Sequence, residues 1–453
     1  MATLREQIEG IIEEFKSLQT NPASYRDKND AFPLPRMIDA GNGGSIIVSR
    51  KIDNAILAAS GQLMRADPTL ARKFTLTEWK ALARRAFGPA LAMIDLDVDP
   101  AKNADTVLTK IRTALGKQVS GHGVLEFAFG CTLFGNAAVQ PFIIGPVRYE
   151  SRLDWLARKR HDGAVSPVTS RRVEQAWSGK RLHKRKPSHD SIGETDILEA
   201  VCSCPFVCSI ATSGLAAEAG REKALTAARL ATAAIALLWL NPSSVLDGMN
   251  LIIDRRLHSQ KVLTYIPGKI VLAGWRLSHL PHGPWMENGE WEREFAKYSD
   301  HFGVAGKLLE YMVSPTGNVP QLKMMNTLAQ ALLWFHEGCR ETVTLMAIVK
   351  YSAALEALAC GGKSDGIRRL INARLGIQDN SPIRPNGPTL KQAIDEIYSD
   401  GRSRTVHGTN SKLGHDWTEV RGLAEQFTRL CLIACFEWAA KNPSSDSPSQ
   451  LSQ

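Results

Sequence analysis

Apolar residues recur three and four positions apart over 51–66, 76–94 and 101–117, which predicts three amphipathic helices. The texture then changes. VLEFAFGCTLF (124–134) and AVQPFIIGPV (138–147) read as strands, and KVLTYIPGKIVLAGW (261–275) reads as two strands about a Pro-Gly turn. An Ala-rich helix is expected over roughly 214–240, ending at Asn241-Pro242 because the residue before a proline is pushed out of the helical region. From Gln321 onward the helical period returns, in 324–337, 341–358, 364–377 and 389–399, with Gly338 marking either a kink or a turn. A last helix should begin at Asp416-Trp-Thr-Glu419, a capping-box pattern, and bury Val420, Leu423, Phe427, Leu430, Ala434 and Trp438. The prediction is an α+β N-terminal part (1–310) followed by an all-α C-terminal helical bundle (321–441). The polar tail 442–453 is expected to be disordered.

Between 158 and 190 the apolar period fades and lysine and arginine dominate. That segment reads as a solvated loop or an insert. Lys180, Arg181, Lys184, Arg185 and Lys186 are candidate phosphate contacts, and the plainer alternative is a flexible basic linker.

Composition adds bounds. At 453 residues, two or three domains are expected, and 44% hydrophobic with 22% charged residues fits a globular chain with a sizeable core. A net charge of +9 leans toward polyanionic partners without requiring one. The N-terminus lacks the basic start and apolar run of a signal peptide, and the most apolar stretch, 224–240, is short and carries Arg229. A cytoplasmic protein with no membrane partner is therefore expected.

Three of the eight cysteines cluster in CSCPFVC (202–208), but no second Cys/His pair completes a zinc set, with His189 a remote candidate. Reduced, buried thiols are the better expectation, so no metal and no cofactor is assigned. CGGKS (360–364) is not a phosphate-binding loop, since Ala357 stands where a glycine is needed and a helix precedes it. His279 and His282 read as surface loop residues, and His336 as a residue at the edge of an apolar helix face.

The stretch IYSDGRSRTVHG (397–408) carries the most chemistry. Cleaving RNA through its own 2′-hydroxyl needs proton transfer, which histidine performs near neutrality, and positive charge at the phosphate, which arginine's planar fork supplies. His407 is the one histidine there, with two arginines before it. On a regular helix Arg404 lies about 60° from His407 and Arg402 about 140°. Arg402 becomes the partner only if the chain breaks near Gly401. Both remain open on spacing alone.

The bundle with ALEAL (354–358), then Ile397-Tyr398, then RS-x-x-VHG (402–408) resembles the HEPN ribonuclease superfamily, and within it the ApeA-like group of prokaryotic defence proteins. The resemblance covers about 321–441. FIIGPVRY (142–149) resembles a segment of the N-terminal region that accompanies many ApeA-like domains, to which no chemistry attaches. The resemblance implies a HEPN-like bundle and a metal-independent RNA endonuclease of toxin or anti-phage type, leaving 2′,3′-cyclic phosphate and 5′-hydroxyl ends. It implies His407 as general acid or base and Arg402, rather than Arg404, on the scissile phosphate, with Tyr398 and Ser403 in the usual context. It also implies a homodimer with a composite site, held in check until a phage-derived or protein trigger arrives. Glu356 would orient Arg402 or His407, or is simply a solvated carboxylate. Two other functions compete: a catalytically silent RNA-binding or dimerisation module, and a partner-protein surface beside an N-terminal enzyme.

Overall fold

In the computed structural model, residues 3–21, 36–136, 138–254, 262–274 and 283–453 are described. His279 and His282 lie outside them. The chain is mixed helix and sheet, with a helical C-terminal region and a small sheet before it. It divides into two units, and the division does not fall at 310/321. One unit holds 1–125 with 212–223 and 314–317, and the other holds 126–211, 224–313 and 318–453.

The first unit is built from α1 (Leu4–Thr20), β1 (Arg36–Asp39), β2 (Ser45–Val48), α2 (Arg50–Ala66), α3 (Pro68–Lys73), α4 (Leu76–Ala92) and α5 (Pro100–Ser120). Thr3, Ser49 and Thr75 cap α1, α2 and α4 by accepting a first-turn N–H, as such residues do where four N–H groups lack partners. The predicted period is realised as one core of Ile8, Ile12, Ile52, Ile56, Trp79, Phe87 and Ile111. Asp53 is buried within it and bridges Arg84 (2.7 Å) and Arg36 (2.7 Å). Burial alone would raise its pKa, but the two guanidiniums hold the carboxyl below its usual range.

The second unit begins with β3 (Val124–Thr132), β4 (Phe142–Ile144), β5 (Val147–Ser151), α6 (Arg152–His161), α7 (Pro167–Trp177), α8 (His189–Val201) and β6 (Phe206–Ser213). After α9 (Ala217–Ala236), α10 (Pro242–Gly248) and β7 (Asn250–Leu251), the sheet is complete, in the order β4-β5-β6-β3-β7. The Pro267-Gly268 turn joins β8 (Val262–Ile266) to β9 (Lys269–Gly274) as an antiparallel hairpin. The basic stretch 158–190 is a loop only in part: α6, α7 and the start of α8 take about half of it, while 178–188, which carries Lys180, Arg181, Lys184, Arg185 and Lys186, is irregular chain. Its apolar period was hidden because only Trp155, Leu156 and Val173 on α6 and α7 are buried hydrophobics.

The C-terminal helices follow as α11 (Glu290–Lys297), α12 (Ser299–Val313), α13 (Leu322–Cys339), α14 (Thr344–Leu358), α15 (Lys363–Leu375), α16 (Leu390–Ile394), a π-helical stretch (Asp395–Ser403), α17 (Arg404–Val406) and α18 (Thr418–Lys441). They share one continuous core with the sheet, running from Phe129 and Tyr149 to Leu328, Ile348 and Phe436. The bundle is therefore not a body of its own. Gly338 stands in the last turn of α13, where its carbonyl accepts the Glu341 N–H at 3.2 Å as the chain turns toward α14. A Cβ there would stand 2.8 Å from the Tyr351 ring, so the glycine also lets α13 and α14 approach closely. At α18, Asp416 accepts from the Thr418 N–H at 2.9 Å, but Glu419 pairs with Arg384 instead of closing a capping box. Leu430 is exposed, and Ala424, Cys431 and Cys435 are buried instead.

The tail is ordered, against its composition. A 3-10 turn (Pro448–Ser452) buries Leu451 completely. Arg374 donates to the Leu451, Gln450 and Gln453 carbonyls, and Asp446 accepts the Lys323 and Met324 N–H groups at the start of α13. One leucine and a helix-capping aspartate outweigh a run of serines. Among the described residues no single helix is long and apolar enough to cross a membrane.

Two outcomes test this packing. Leu451→Ala should lower stability by about 2–5 kcal/mol in urea unfolding, and no change would mean an undocked tail. His301, buried in α12, donates from Nε2 to the Ala234 carbonyl at 3.0 Å, and burial pushes its pKa down to about 4. The folded state thus holds it neutral, while the unfolded chain takes up a proton below about pH 6.5. Its contribution is full above that pH and is lost as pH falls toward 4. Wild type should lose about 3 kcal/mol more than His301→Leu between pH 7 and 4, measured by urea midpoints at each pH.

Candidate functional site

Thr389 caps α16 in a reciprocal box with Gln392, and the helix runs on without a break to Val406. The expected interruption at Gly401 is absent. Over Asp395–Ser403 the backbone is π-helical, so the Arg404 N–H reaches back five residues to the Ser399 carbonyl. Regular bonding then returns, with the His407 N–H on the Ser403 carbonyl at 3.0 Å. Gly401 serves packing instead: a Cβ would lie 2.8 Å from Ile348 Cγ2 on α14, so only glycine lets the two helices approach this closely.

Gly408 ends the helix. Its φ of +70° is the left-handed conformation glycine adopts freely. The Gly408 N–H bonds to the Thr405 carbonyl and the Thr409 N–H to the Arg404 carbonyl at 2.8 Å, a Schellman closure. His407 is therefore the C-terminal cap. The following loop is pinned: Asn410 donates to Thr405 Oγ1 at 2.8 Å, and Trp417 Nε1 donates to the Lys412 carbonyl. His407 is left exposed, with no side-chain hydrogen bond or ion pair among the described residues.

The arginines go elsewhere. Arg402 pairs with Glu356 of α14 at 3.0 Å and lies over the Tyr398 ring, 5.2 Å from its centroid. The Tyr398 hydroxyl donates to the same carboxylate at 3.2 Å. Burial, and then the Glu356 charge, push the Tyr398 hydroxyl upward, so it stays protonated and keeps donating. Glu356 thus orients Arg402 and not His407. Arg404 pairs with Asp400 at 3.1 Å, which also holds Lys412 at 3.0 Å. Both arginines lean toward the N-terminus of their helix, as helical side chains do. His407 lies five residues the other way, roughly 7.5 Å along an α-helical axis. Within one chain the structure assembles Arg402, Tyr398 and Glu356, and leaves His407 and Arg404 apart from them. Ser403 is half-buried at the end of the π turn.

Of the basic candidates, Arg185 is committed to Asp190 and Glu194, while Lys180, Arg181, Lys184 and Lys186 are exposed without side-chain partners among the described residues. In the cysteine cluster Cys204 and Cys208 are buried, and burial pushes the Cys208 thiol up to about 12. His336 is buried in α13 beside Glu337, not at a helix edge as its sequence context suggests, and burial depresses its pKa. Residues 359–362 form the turn between α14 and α15, and Lys363 and Ser364 are the first residues of α15. The Tyr398–Glu356 bond had no sequence signal beyond the resemblance, since the residues are 42 positions apart.

No family model, curated protein or solved structure matches the chain.

The tight contact at Gly401 makes a direct prediction. Gly401→Ala should cost about 1–3 kcal/mol through overpacking, read by urea unfolding, and should shift the near-ultraviolet signal of the neighbouring Tyr398. An alanine variant as stable as wild type would mean the two helices are not in contact there.

Proposed function

We propose that the C-terminal helical region is a metal-independent RNA endonuclease of the HEPN type, in a prokaryotic toxin or anti-phage setting. One observation carries this reading: His407 is held at a fixed helix end, exposed and without a competing partner, a few residues after an arginine fixed by Glu356 and Tyr398. A free imidazole transfers protons, and a pre-oriented guanidinium binds a phosphate at little entropic cost.

In this reading the 2′-hydroxyl attacks the adjacent phosphorus, His407 takes or gives the proton, and the 5′-oxygen leaves, giving a 2′,3′-cyclic phosphate and a 5′-hydroxyl. Glu356 is a positioning residue that holds Arg402 through Nη2 and leaves further guanidinium N–H groups for the phosphate. Arg402 leans away from His407 of its own chain, so the reactive set draws Arg402 and His407 from two copies. Exposed Val406 and Leu413, close in sequence on either side of His407, favour such a homodimer.

The same divergence favours a second reading, in which the bundle binds RNA or dimerises and is catalytically silent. Incubation of the pure protein with mixed RNA in EDTA separates the two. Cleavage with cyclic phosphate ends is expected, reduced at least about 100-fold in His407→Ala and in Arg402→Ala. Full activity in either variant overturns the assignment, and salt-sensitive binding without turnover by wild type selects the second reading. A mixture of the two inactive variants should regain part of the activity if the site is shared between copies.

A further inference from the structure

Strands β5 and β6 are antiparallel neighbours, with Ser151 opposite Phe206, and the Arg152 N–H bonds to the Pro205 carbonyl at 2.9 Å. The chain thus leaves the sheet and returns to the same rung, and everything in 152–205 hangs from that point. The excursion has its own small core of Trp155, Leu156, Val173 and Val201 against Val207 of the sheet.

Its layout is specific. The C-cap of α6 is Asp162, Gly163 turns the chain at φ +75°, Val165 packs inward, and Ser166 caps α7. Two helices joined by a short glycine-containing turn is a connection that DNA-reading helix-turn-helix units share with other helical hairpins, and it leaves one face of the second helix free. The inner face of α7 (Thr169, Ser170, Val173) is buried. Its outer face, at successive turns, offers Val168, Arg171 and Glu174 to solvent.

The ion pairs sort the cations into two classes. Arg158 and Lys159 hold Glu126 and Glu150, Arg172 holds Glu194, and Arg185 holds Asp190 and Glu194; these build the element. Arg160, Arg171, Lys180, Arg181, Lys184 and Lys186 are exposed and have no side-chain partner among the described residues. Between 171 and 189 the sequence has seven lysines and arginines against one carboxylate. Such a cluster matches a polyanion.

The geometry points to duplex DNA as that polyanion, and we propose that the excursion 152–205 is a DNA-binding element, with α7 in the major groove and the 180–186 run along the adjoining phosphates. The major groove of B-form DNA admits an α-helix, whereas that of A-form RNA is too narrow. Single-stranded RNA is held by bases stacked on exposed aromatic rings. The excursion has no phenylalanine or tyrosine, Trp155 is buried and Trp177 is half-covered with Arg152 over its ring, so its only exposed rings are the imidazoles of His161, His183 and His189, spread singly along the chain. Arg171 and Val168 would meet base edges, where arginine reads guanine and an apolar side chain the thymine methyl.

The test is fluorescence anisotropy of the full chain carrying His407→Ala, which the cleavage reading makes inactive so that the RNA probes stay intact, with labelled duplex DNA, duplex RNA and single-stranded RNA of one length, at about 50 to 200 mM salt. Duplex DNA should bind about tenfold or more tighter than either RNA. Replacing Lys180, Arg181, Lys184 and Lys186 together by alanine should flatten the salt dependence by about three to four units of log–log slope, with an unchanged circular dichroism spectrum. Arg171→Ala should weaken binding to a sequence selected from a random duplex pool about tenfold, with the slope changed by about one at most. Equal or tighter binding to RNA, or an unaffected fourfold variant, overturns the proposal. Because binding is read on a nucleic acid with no 2′-hydroxyl, its failure leaves the RNA-cleavage reading standing, and the reverse holds too.

Discussion

Two buried polar side chains on α18 hold the larger unit together. Glu425 and Arg429 are almost wholly covered, and a charge removed from water must find partners there. Glu425 accepts from the Ser243 N–H and hydroxyl at the start of α10 (2.8 and 2.9 Å), and Arg429 donates to the Leu237 carbonyl just past α9 (2.9 Å). A carboxylate meets a helix N-terminus and a guanidinium meets a helix C-terminus, each matched to the dipole it faces. Neither group can be satisfied by the C-terminal helices alone. The bundle and the sheet therefore form one unit with one core.

Within that unit, the candidate site follows from a single close approach. Gly401 lies against Ile348, and the Ser352 hydroxyl reaches the Ile397 carbonyl, so the penultimate helix is laid along α14. That line carries Tyr398 and Arg402 to Glu356 and leaves His407 at the free end. The widened π turn spans these same residues, and such turns recur where function needs a side chain displaced from its regular position. Order at the end of the helix comes from Gly408 and Asn410 rather than from burial. That combination suits a residue that must be both fixed and exposed.

Much of this was legible from the chain. Helices α2, α4 and α5, the β8–β9 hairpin and α13 to α15 follow from period and turn chemistry, because each buries one regular face or turns on a Pro-Gly pair. His407 was legible as the one histidine beside two arginines, but the helix expected over 389–399 runs on to Val406 and ends at Gly408. The rest failed for particular reasons. The basic stretch hid α6 and α7, because charge masks a helix whose buried stripe is narrow. The tail's serines hid Leu451 and Asp446. Gly401 reads as a break, although it is a contact with Ile348 of α14, and Gly338, which does stand at a helix end, is also such a contact.

What the sequence determined by itself is local: periods, caps, and the glycine that ends the helix after His407. Those are set within one or two turns of chain. The tertiary structure alone decided that Glu356 takes Arg402, that Asp400 takes Arg404, and that neither arginine faces His407. Ion-pair choice depends on which helices lie side by side, and that is settled by close packing between residues such as Gly401 and Ile348, far apart in the chain.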